Sequence, residues 1–364
     1  MRRRAFIAIL AVMALVAAAC AEEADTTTTE GDTTQATDPP GTTSAPDTTE
    51  AADETTTTAE PETVSIEYAT SFGAFGRDAY VYVAEEKGYF DEAGFDVTIS
   101  PGQGSVNNAR FVASGQLDYA PIDFSAAVLV RANEDLPVRC VSFVHQFGLS
   151  AIFTKESSDI DEPADLPGNT VADIPGSVVI ELFPIYAERV GFDPDGVDFV
   201  PADPPQLPGL LASDQVDAVN QFVVGQPLFE NVTGGPITVF PYSDVFPEFP
   251  GICIAVSEDK LAEDPDEIAR FISALNRGLQ DAIDDPQEAG EIMNSILPEA
   301  DAAVAAAELE IMRDFVVNEF TDSNGIGSID TQRLTDSIGI LSEAFELPAD
   351  LTVEDLFAEG FTGG

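Results

Sequence analysis

Acid–base and nucleophilic chemistry have little to work with in this chain. It holds one histidine, His145, and no C-x-x-C, G-x-S-x-G or H-E-x-x-H spacing. A lone histidine beside a strand end reads more readily as a satisfied structural residue than as a general base. Asp and Glu are so numerous that no carboxylate pair or metal-ligand spacing stands out. No catalytic residue, metal or cofactor is therefore expected. The residues with chemistry to offer are of another kind. Phe72, Phe75, Phe124 and Phe222 are planar faces able to stack on a flat ligand, while Asp123, Gln146, Asn220 and Gln221 can address its edge. Arg77 is the cation among these loops, and Ser125, Gly176 and Ser177 complete the candidate set. In a chain with 24 phenylalanines, the alternative for each ring is a place in the core.

Elements with definite ends must position these groups. Val64, Ile66 and Tyr68 alternate with polar or small neighbours as a strand does, and the glycines of Phe72-Gly73-Ala74-Phe75-Gly76 break the pattern. Tyr80, Val83 and Ala84 then fall at helical spacing, Lys87 sits where it complements a helix carbonyl end, and Gly88 supplies a left-handed stop. Phe95, Val97 and Ile99 alternate again. Strand, helix and strand with so short a return require a parallel pair and a right-handed crossover. Ligands of such sheets bind beyond the carboxyl ends of the strands, so the loop from Ser71 to Asp78 is the first place to look.

The same logic continues along the chain. Gly102 to Ser105 leads into a helix whose first turn offers free N–H groups, and Asp123 to Ser125 opens the next helix after a strand ending at Ile122. Strands are expected at Val138 to Val144, Leu149 to Thr154, Thr170 to Asp173, Val197 to Val200 and Ile252 to Val256. Gly115-Gln116-Leu117-Asp118-Tyr119-Ala120 is echoed by Asp214-Gln215-Val216-Asp217-Ala218-Val219, which suggests two similar lobes. Apolar stripes such as Ile268, Phe271, Ile272, Leu275 and Leu279 mark covering helices near the C-terminus, and Leu351 to Phe361 reads as a docking tail.

The 364 residues are 44% hydrophobic and carry 66 acids against 15 bases, a formal charge of -51. That field excludes nucleic acid as a partner. It has two readings, a solvated acidic surface or adaptation to a salty medium that screens repulsion between acids. Residues 1–20 combine Arg2 to Arg4 with the apolar run Ala5 to Ala19, an export signal too short for a stable span. Residues 21–62, nearly all Thr, Glu, Asp, Ala, Pro and Ser, cannot bury enough surface to fold and read as a tether. Cys140 and Cys253 lie in apolar strand-like stretches and are read as two small buried hydrophobes, with a disulfide as the alternative.

The small residues Ala17, Ala18 and Ala19 before Cys20 resemble a bacterial lipoprotein cleavage site, departing from it at Ala17, where leucine is usual. The resemblance implies lipidation of Cys20 and anchoring to the outer face of the cell membrane. Ala84, Lys87, Gly88, Tyr89, Phe90, Gly94, Phe95 and Val97 fit the pattern A-x-x-K-G-[YF]-F-x-x-x-G-[LF]-x-V. In this stretch the chain resembles solute-binding proteins of bacterial ABC importers, in the class for thiamine-pyrimidine precursors (THI5-like, NMT1-like), nitrate, sulfonates and taurine. The likeness continues through Asp165-Leu166-Pro167-Gly168, although the usual lysine before glycine is absent. It implies an α/β, two-lobed, type II periplasmic-binding-protein fold, with two mixed sheets flanked by helices around a central cleft. Lobe I would comprise 63–153 plus 251–364 and lobe II 154–250, with crossing segments near Thr154 and Gly251. It further implies a monomer that closes on a small molecule and docks on a permease driven by an ATPase, with no covalent chemistry. Aromatic loops with Asp123 point to a small planar heterocycle, a thiamine-pyrimidine precursor or a similar aromatic heterocycle such as a flavin; nitrate, sulfonate or taurine is the second reading. A biosynthetic enzyme of the same fold is disfavoured because the cysteine-rich stretch of those relatives is missing. A surface sensory or adhesion module is the remaining alternative.

Overall fold

The computed structural model describes residues 63–362 apart from 74, 176 and 348–349; the export signal, Cys20 and the tether lie outside the described residues. Twelve strands and thirteen α-helices form this part of the chain, and none of these helices is long and apolar enough to cross a membrane.

The opening unit follows the sequence pattern. Strand β1 (Val64–Ala69) buries Ile66 and Tyr68 while Ser65 and Glu67 face solvent. A two-residue strand β2 (Phe72–Gly73) and a 3-10 turn lead to α1 (Ala79–Glu86), which Gly88 ends in a left-handed conformation. A short helix not expected from the sequence, α2 (Tyr89–Ala93), comes before the second such stop, Gly94. Strand β3 (Phe95–Ser100) then pairs parallel with β1, Val64 opposite Phe95 and Ala69 opposite Ser100. Next, β4 (Gly102–Gln103) pairs antiparallel with β2. Gly102 is required there because a Cβ would run into the Thr70 carbonyl oxygen.

Helix α3 (Ser105–Ala113), β5 (Ala120–Asp123), α4 (Phe124–Glu134) and β6 (Val138–Phe143) follow. The next segment contains β7 (Ser150–Lys155), β8 (Thr170–Asp173), α5 (Val178–Val190), β9 (Asp198–Pro201), α6 (Leu207–Ala212), β10 (Ala218–Phe222), α7 (Gln226–Thr233) and β11 (Ile237–Pro241). Strand β12 (Ile252–Ser257) returns between β5 and β6, antiparallel to both. Five strands form the order β11-β7-β10-β8-β9, with β7 antiparallel to both of its neighbours. A Tyr68–Tyr119 bridge places β1 beside β5, so β3, β1, β5, β12 and β6 repeat the arrangement of β9, β8, β10, β7 and β11.

This repeat explains the sequence echo. The Asp118 carboxylate accepts the Glu67 N–H at 2.8 Å, and the Asp217 carboxylate accepts the Thr170 N–H at 2.8 Å. Each aspartate thereby ties the start of its own strand to the adjacent parallel strand. Gly115 and Asp214, both at positive φ, turn the chain into that position. Strand β7, expected in the first lobe, is hydrogen bonded within the five-stranded sheet, so the first crossing is residues 144–149 rather than Thr154. Two successive apolar runs define two strands but do not reveal their long-range partners.

Cys140 and Cys253 form a disulfide, which corrects the expectation of two buried thiols. Their Cα atoms lie 5.6 Å apart, within bridging range. A register shift makes this possible: Cys253 faces Phe143, Ile254 faces Ser142, and Ala255 faces Cys140, leaving Val141 as an extra residue. Without that bulge, strict alternation would set Cys140 opposite Val256 on the other face of the sheet.

The C-terminal part supplies α8 (Glu258–Glu263), α9 (Pro265–Asp284), α10 (Pro286–Ile296), α11 (Ala302–Val316), α12 (Glu319–Asn324) and α13 (Thr331–Ala344). The α9 stripe is buried as expected, with Phe271 stacked on Tyr119 at 3.9 Å and on Phe90 at 5.2 Å. The tail docks on β6, where Cys140 N–H donates to the Leu356 carbonyl at 2.8 Å. Helix α11 packs against the loop before α1 so closely that a Cβ at Gly76 would lie 2.6 Å from Ala305 backbone atoms. Gly76→Ala is therefore expected to destabilise the protein by about 1–3 kcal/mol, the usual range for overpacking. A denaturant midpoint measurement checks this; an unchanged midpoint would show that the loop moves aside freely.

Candidate functional site

The loops at the carboxyl ends of β1, β8 and β10 meet between the two sheets. After β1 the chain turns on a set of short polar contacts. Ser71 donates through its backbone N–H and its hydroxyl to Asp78 Oδ1, at 3.0 and 2.9 Å. Arg77 Nε donates to Ser71 Oγ at 3.0 Å and lies 3.8 Å from Asp78 Oδ2. Gly76 N–H donates to Glu308 Oε2 of α11 at 2.6 Å. These contacts fix the Arg77 backbone and the root of its guanidinium.

The rest of that guanidinium is presented differently. It lies between the rings of Phe75, on the first loop, and Phe222, at the end of β10, at 4.6 and 4.7 Å. Arg77 is 3% exposed, yet Nη1 and Nη2 meet no hydrogen-bond partner among the described residues. Aromatic faces stabilise a cation but do not replace its hydrogen bonds. Arg77 lines a compartment of about 20 Å³ together with Ser71, Ser105, Ser177 and Phe222. An outer compartment of about 870 Å³, lined by Phe72 and Phe75 among others, adjoins it.

Other buried polar groups border this region. Ser177 caps α5, accepting from Ile180 N–H, and donates to both Asp173 carboxylate oxygens at 2.9 and 3.1 Å. Burial raises the Asp173 carboxyl to about 6, with Ser177 opposing. Asn220 approaches Asp173 closely enough to ease its ionisation, but neither amide atom reaches a partner in hydrogen-bond geometry. Both ring nitrogens of His145 are likewise buried and without partners among the described residues. Burial, then the Arg77 charge, lowers this imidazole to about 3 and keeps it neutral. The expectation of a satisfied histidine is corrected: the crossing segment buries the ring without supplying a partner. Glu308 is raised by burial to about 7, against the pull of Arg77, and burial also raises Asp78.

Phe72, Phe75, Arg77, Ser177 and Phe222 are thus brought together. Asp123 and Ser125 instead line a separate recess of about 10 Å³ with Tyr242 and Phe249. There Asp123 caps α4 by accepting Ser125 N–H at 2.9 Å. Phe124 is not a stacking residue: the cap turns its ring inward, where it is fully buried against Phe143. Gln146 is anchored away from the cleft, donating to the Ser328 carbonyl at 2.9 Å and facing Asn318. The Gln221 side chain folds back to accept Phe222 N–H, and Gly176 lies outside the described residues. Ser71, Asp78, Asp173 and Glu308 are absent from the sequence-based set. Asp78 beside Arg77 was a usable signal, whereas Glu308, 232 residues from Gly76, had none.

Burial also raises the Asp123 carboxyl to about 6, with Ser125 opposing. A raised carboxyl gives stability that is full below its unfolded value near pH 4 and lost as pH rises through about 6. Asp123→Asn keeps an acceptor for Ser125 and removes the ionisation. Relative to the parent chain, the variant is expected to gain about 2 kcal/mol between pH 4.5 and pH 8. Urea unfolding at both values checks this; a pH-independent difference would mean that Asp123 does not titrate in this range.

Solved structures share this architecture. The alkanesulfonate-binding protein SsuA of Xanthomonas axonopodis pv. citri, bound to MOPS, superposes with a TM-score of 0.64 at 14% identity, covering 83% of this chain and 100% of its own. The aliphatic sulphonate-binding protein of Escherichia coli gives 0.62 at 13% identity, covering 84% and 95%. The fold is accordingly the two-lobed α/β fold of periplasmic binding proteins. Among curated proteins, the riboflavin-binding protein RibY of Chloroflexus aurantiacus is 26% identical over 78% of this chain and 82% of its own length. The formylaminopyrimidine-binding protein of Halalkalibacterium halodurans is 26% identical over 77% and 85%. The NMT1/THI5-like family model matches residues 78–289, more than half of the sequence and the segment running from the buried Asp78 into α10; the chain belongs to the NMT1/THI5-like family.

Proposed function

We propose that this protein is the extracytoplasmic solute-binding component of an ABC importer, and that its cargo is a small planar heterocycle held between the two sheets. The observation carrying this reading is the Arg77 guanidinium, seated between Phe75 and Phe222 with two buried N–H-bearing nitrogens unpartnered. A flat ring with carbonyl or ring-nitrogen acceptors would satisfy those donors and offer faces to the surrounding phenylalanines. Asn220 and His145 supply further unpartnered groups beside it. The riboflavin- and formylaminopyrimidine-binding relatives, whose named ligands are flat nitrogen heterocycles, support the same class. The protein acts by binding, without catalysis.

In this reading lobe I consists of residues 63–143 and 252–362, lobe II of 150–241, and the crossings at 144–149 and 242–251 form the hinge. The compartment at Arg77 is small, about 20 Å³, and in this reading capture proceeds by the sheets parting and closing again over the ligand. The closed form is then the one offered to a permease and its ATPase. A lipid on Cys20 and an acidic tether would hold the monomer at the outer face of the membrane.

A nitrate, sulfonate or taurine ligand is the second reading, favoured by the same free guanidinium fork, which also suits an oxyanion. Local charge argues for the neutral ring, because the carboxyls of Asp78 and Glu308 share the surroundings of Arg77. A thermal-shift screen of the purified full-length chain against aminopyrimidines, flavins, nitrate, taurine and alkanesulfonates tests both. A rise with a planar heterocycle supports the proposal. A rise with anions alone would replace it by the second reading, and no rise with any ligand would leave a sensory or adhesion role as the better account.

A further inference from the structure

We infer that the outer compartment is a second ligand subsite, built for an uncharged, hydroxyl-bearing arm attached to the ring held at Arg77. This inference rests on the cleft reading above and narrows its substrate class. Phe72 and Ile174 line both compartments, so the large outer space adjoins the small inner one. A bare six-membered ring satisfied at Arg77 would leave most of the roughly 870 Å³ beyond Phe72 unused.

The outer lining has a definite chemistry. Phe72 and Phe75 give it an apolar side, while Gln103, Asn107 and Asp203 give it a polar rim. Asn107 spends one N–H on the Gln103 carbonyl at 3.1 Å, whereas the Gln103 side-chain amide is exposed and makes no hydrogen bond among the described residues. Asp203 opens the short turn at Pro204–Gln206, where its backbone N–H donates to the Gln206 side-chain oxygen at 3.0 Å. These groups suit hydroxyls, which donate to a carboxylate or amide oxygen and accept from an amide N–H. They do not suit a phosphate: among the described residues no lysine or arginine lines the compartment, and Asp203 repels a second anion.

Isothermal titration of the full-length chain with lumiflavin, riboflavin and riboflavin 5′-phosphate tests the inference, since the three share the isoalloxazine ring and differ only in the substituent on N10. Riboflavin is expected to bind at least tenfold more tightly than lumiflavin, and the phosphorylated form at least tenfold more weakly than riboflavin. The double variant Gln103→Leu/Asn107→Leu, on the rim of the cleft, should weaken riboflavin at least fivefold and leave lumiflavin unchanged. Equal binding of lumiflavin and riboflavin would overturn the subsite, as would a double variant that binds both as the parent does. Tighter binding of the phosphorylated form would overturn the uncharged arm. Binding of aminopyrimidines without any flavin would also remove the subsite while leaving the cleft reading intact. If no ring ligand binds, both fail together.

Discussion

Replacing Arg77 with methionine is expected to weaken binding of the cleft ligand by at least a hundredfold and to abolish its thermal shift. The side chain is 3% exposed, and two of its nitrogens have no partner among the described residues. Hydrogen bonds to a charged group contribute about 1.5–3 kcal/mol each, so losing two corresponds to roughly two to four orders of magnitude in affinity. The same substitution makes a second effect visible without ligand. Arg77 eases the ionisation of Asp78 and Glu308, both already raised by burial. Without the cation both carboxyls move further up. Because such groups lose their stabilising contribution as pH rises, the variant should lag the parent chain more at pH 8 than at pH 5. Titration calorimetry and urea unfolding at the two pH values separate these effects. Unchanged affinity would show that Arg77 serves the loop alone; an equal stability difference at both pH values would uncouple it from the two carboxyls.

The other large effect concerns stability. Breaking the Cys140–Cys253 bond, by reduction of the unfolded chain or by a Cys140→Ala/Cys253→Ala double variant, is expected to cost about 2–5 kcal/mol. The bond joins positions 113 residues apart, so it removes much of the freedom of the unfolded chain. Both cysteines are fully buried, so reductant should act only after the sheet opens. Denaturant midpoints with and without reductant give the difference, and thiol counting on the unreduced, unfolded chain gives the pairing. Reactive thiols at both positions would show that the bond does not form.

What could be read from the sequence follows the range over which each feature is determined. The β1–α1–β3 unit was legible because its alternation, helical spacing and glycine stops all lie within about thirty residues. The Asp118 and Asp217 echo was legible because each aspartate ties a strand it precedes to the next parallel strand, a task that repeats with the lobe. Phe72, Phe75, Arg77, Ser177 and Phe222 emerged from the rule that strand-end loops face the cleft. Phe124 obeyed the same rule in sequence and failed in space, since the Asp123 cap points the next side chain inward. Gln146 failed because its partners, Ser328 and Asn318, lie more than 170 residues away. Glu308, the pairing of β7 and the Val141 bulge are equally non-local. The bulge matters most, because one inserted residue sets Cys140 on the same face of the sheet as Cys253 and so permits the disulfide.

That covalent link has a mechanical consequence. Strand β6 is the last element before the chain leaves for the five-stranded sheet, and β12 is the first after it returns, so the bond rivets the roots of both crossings. Neither root can then slip along the other strand, and the two connections between the sheets start from one covalently shared footing.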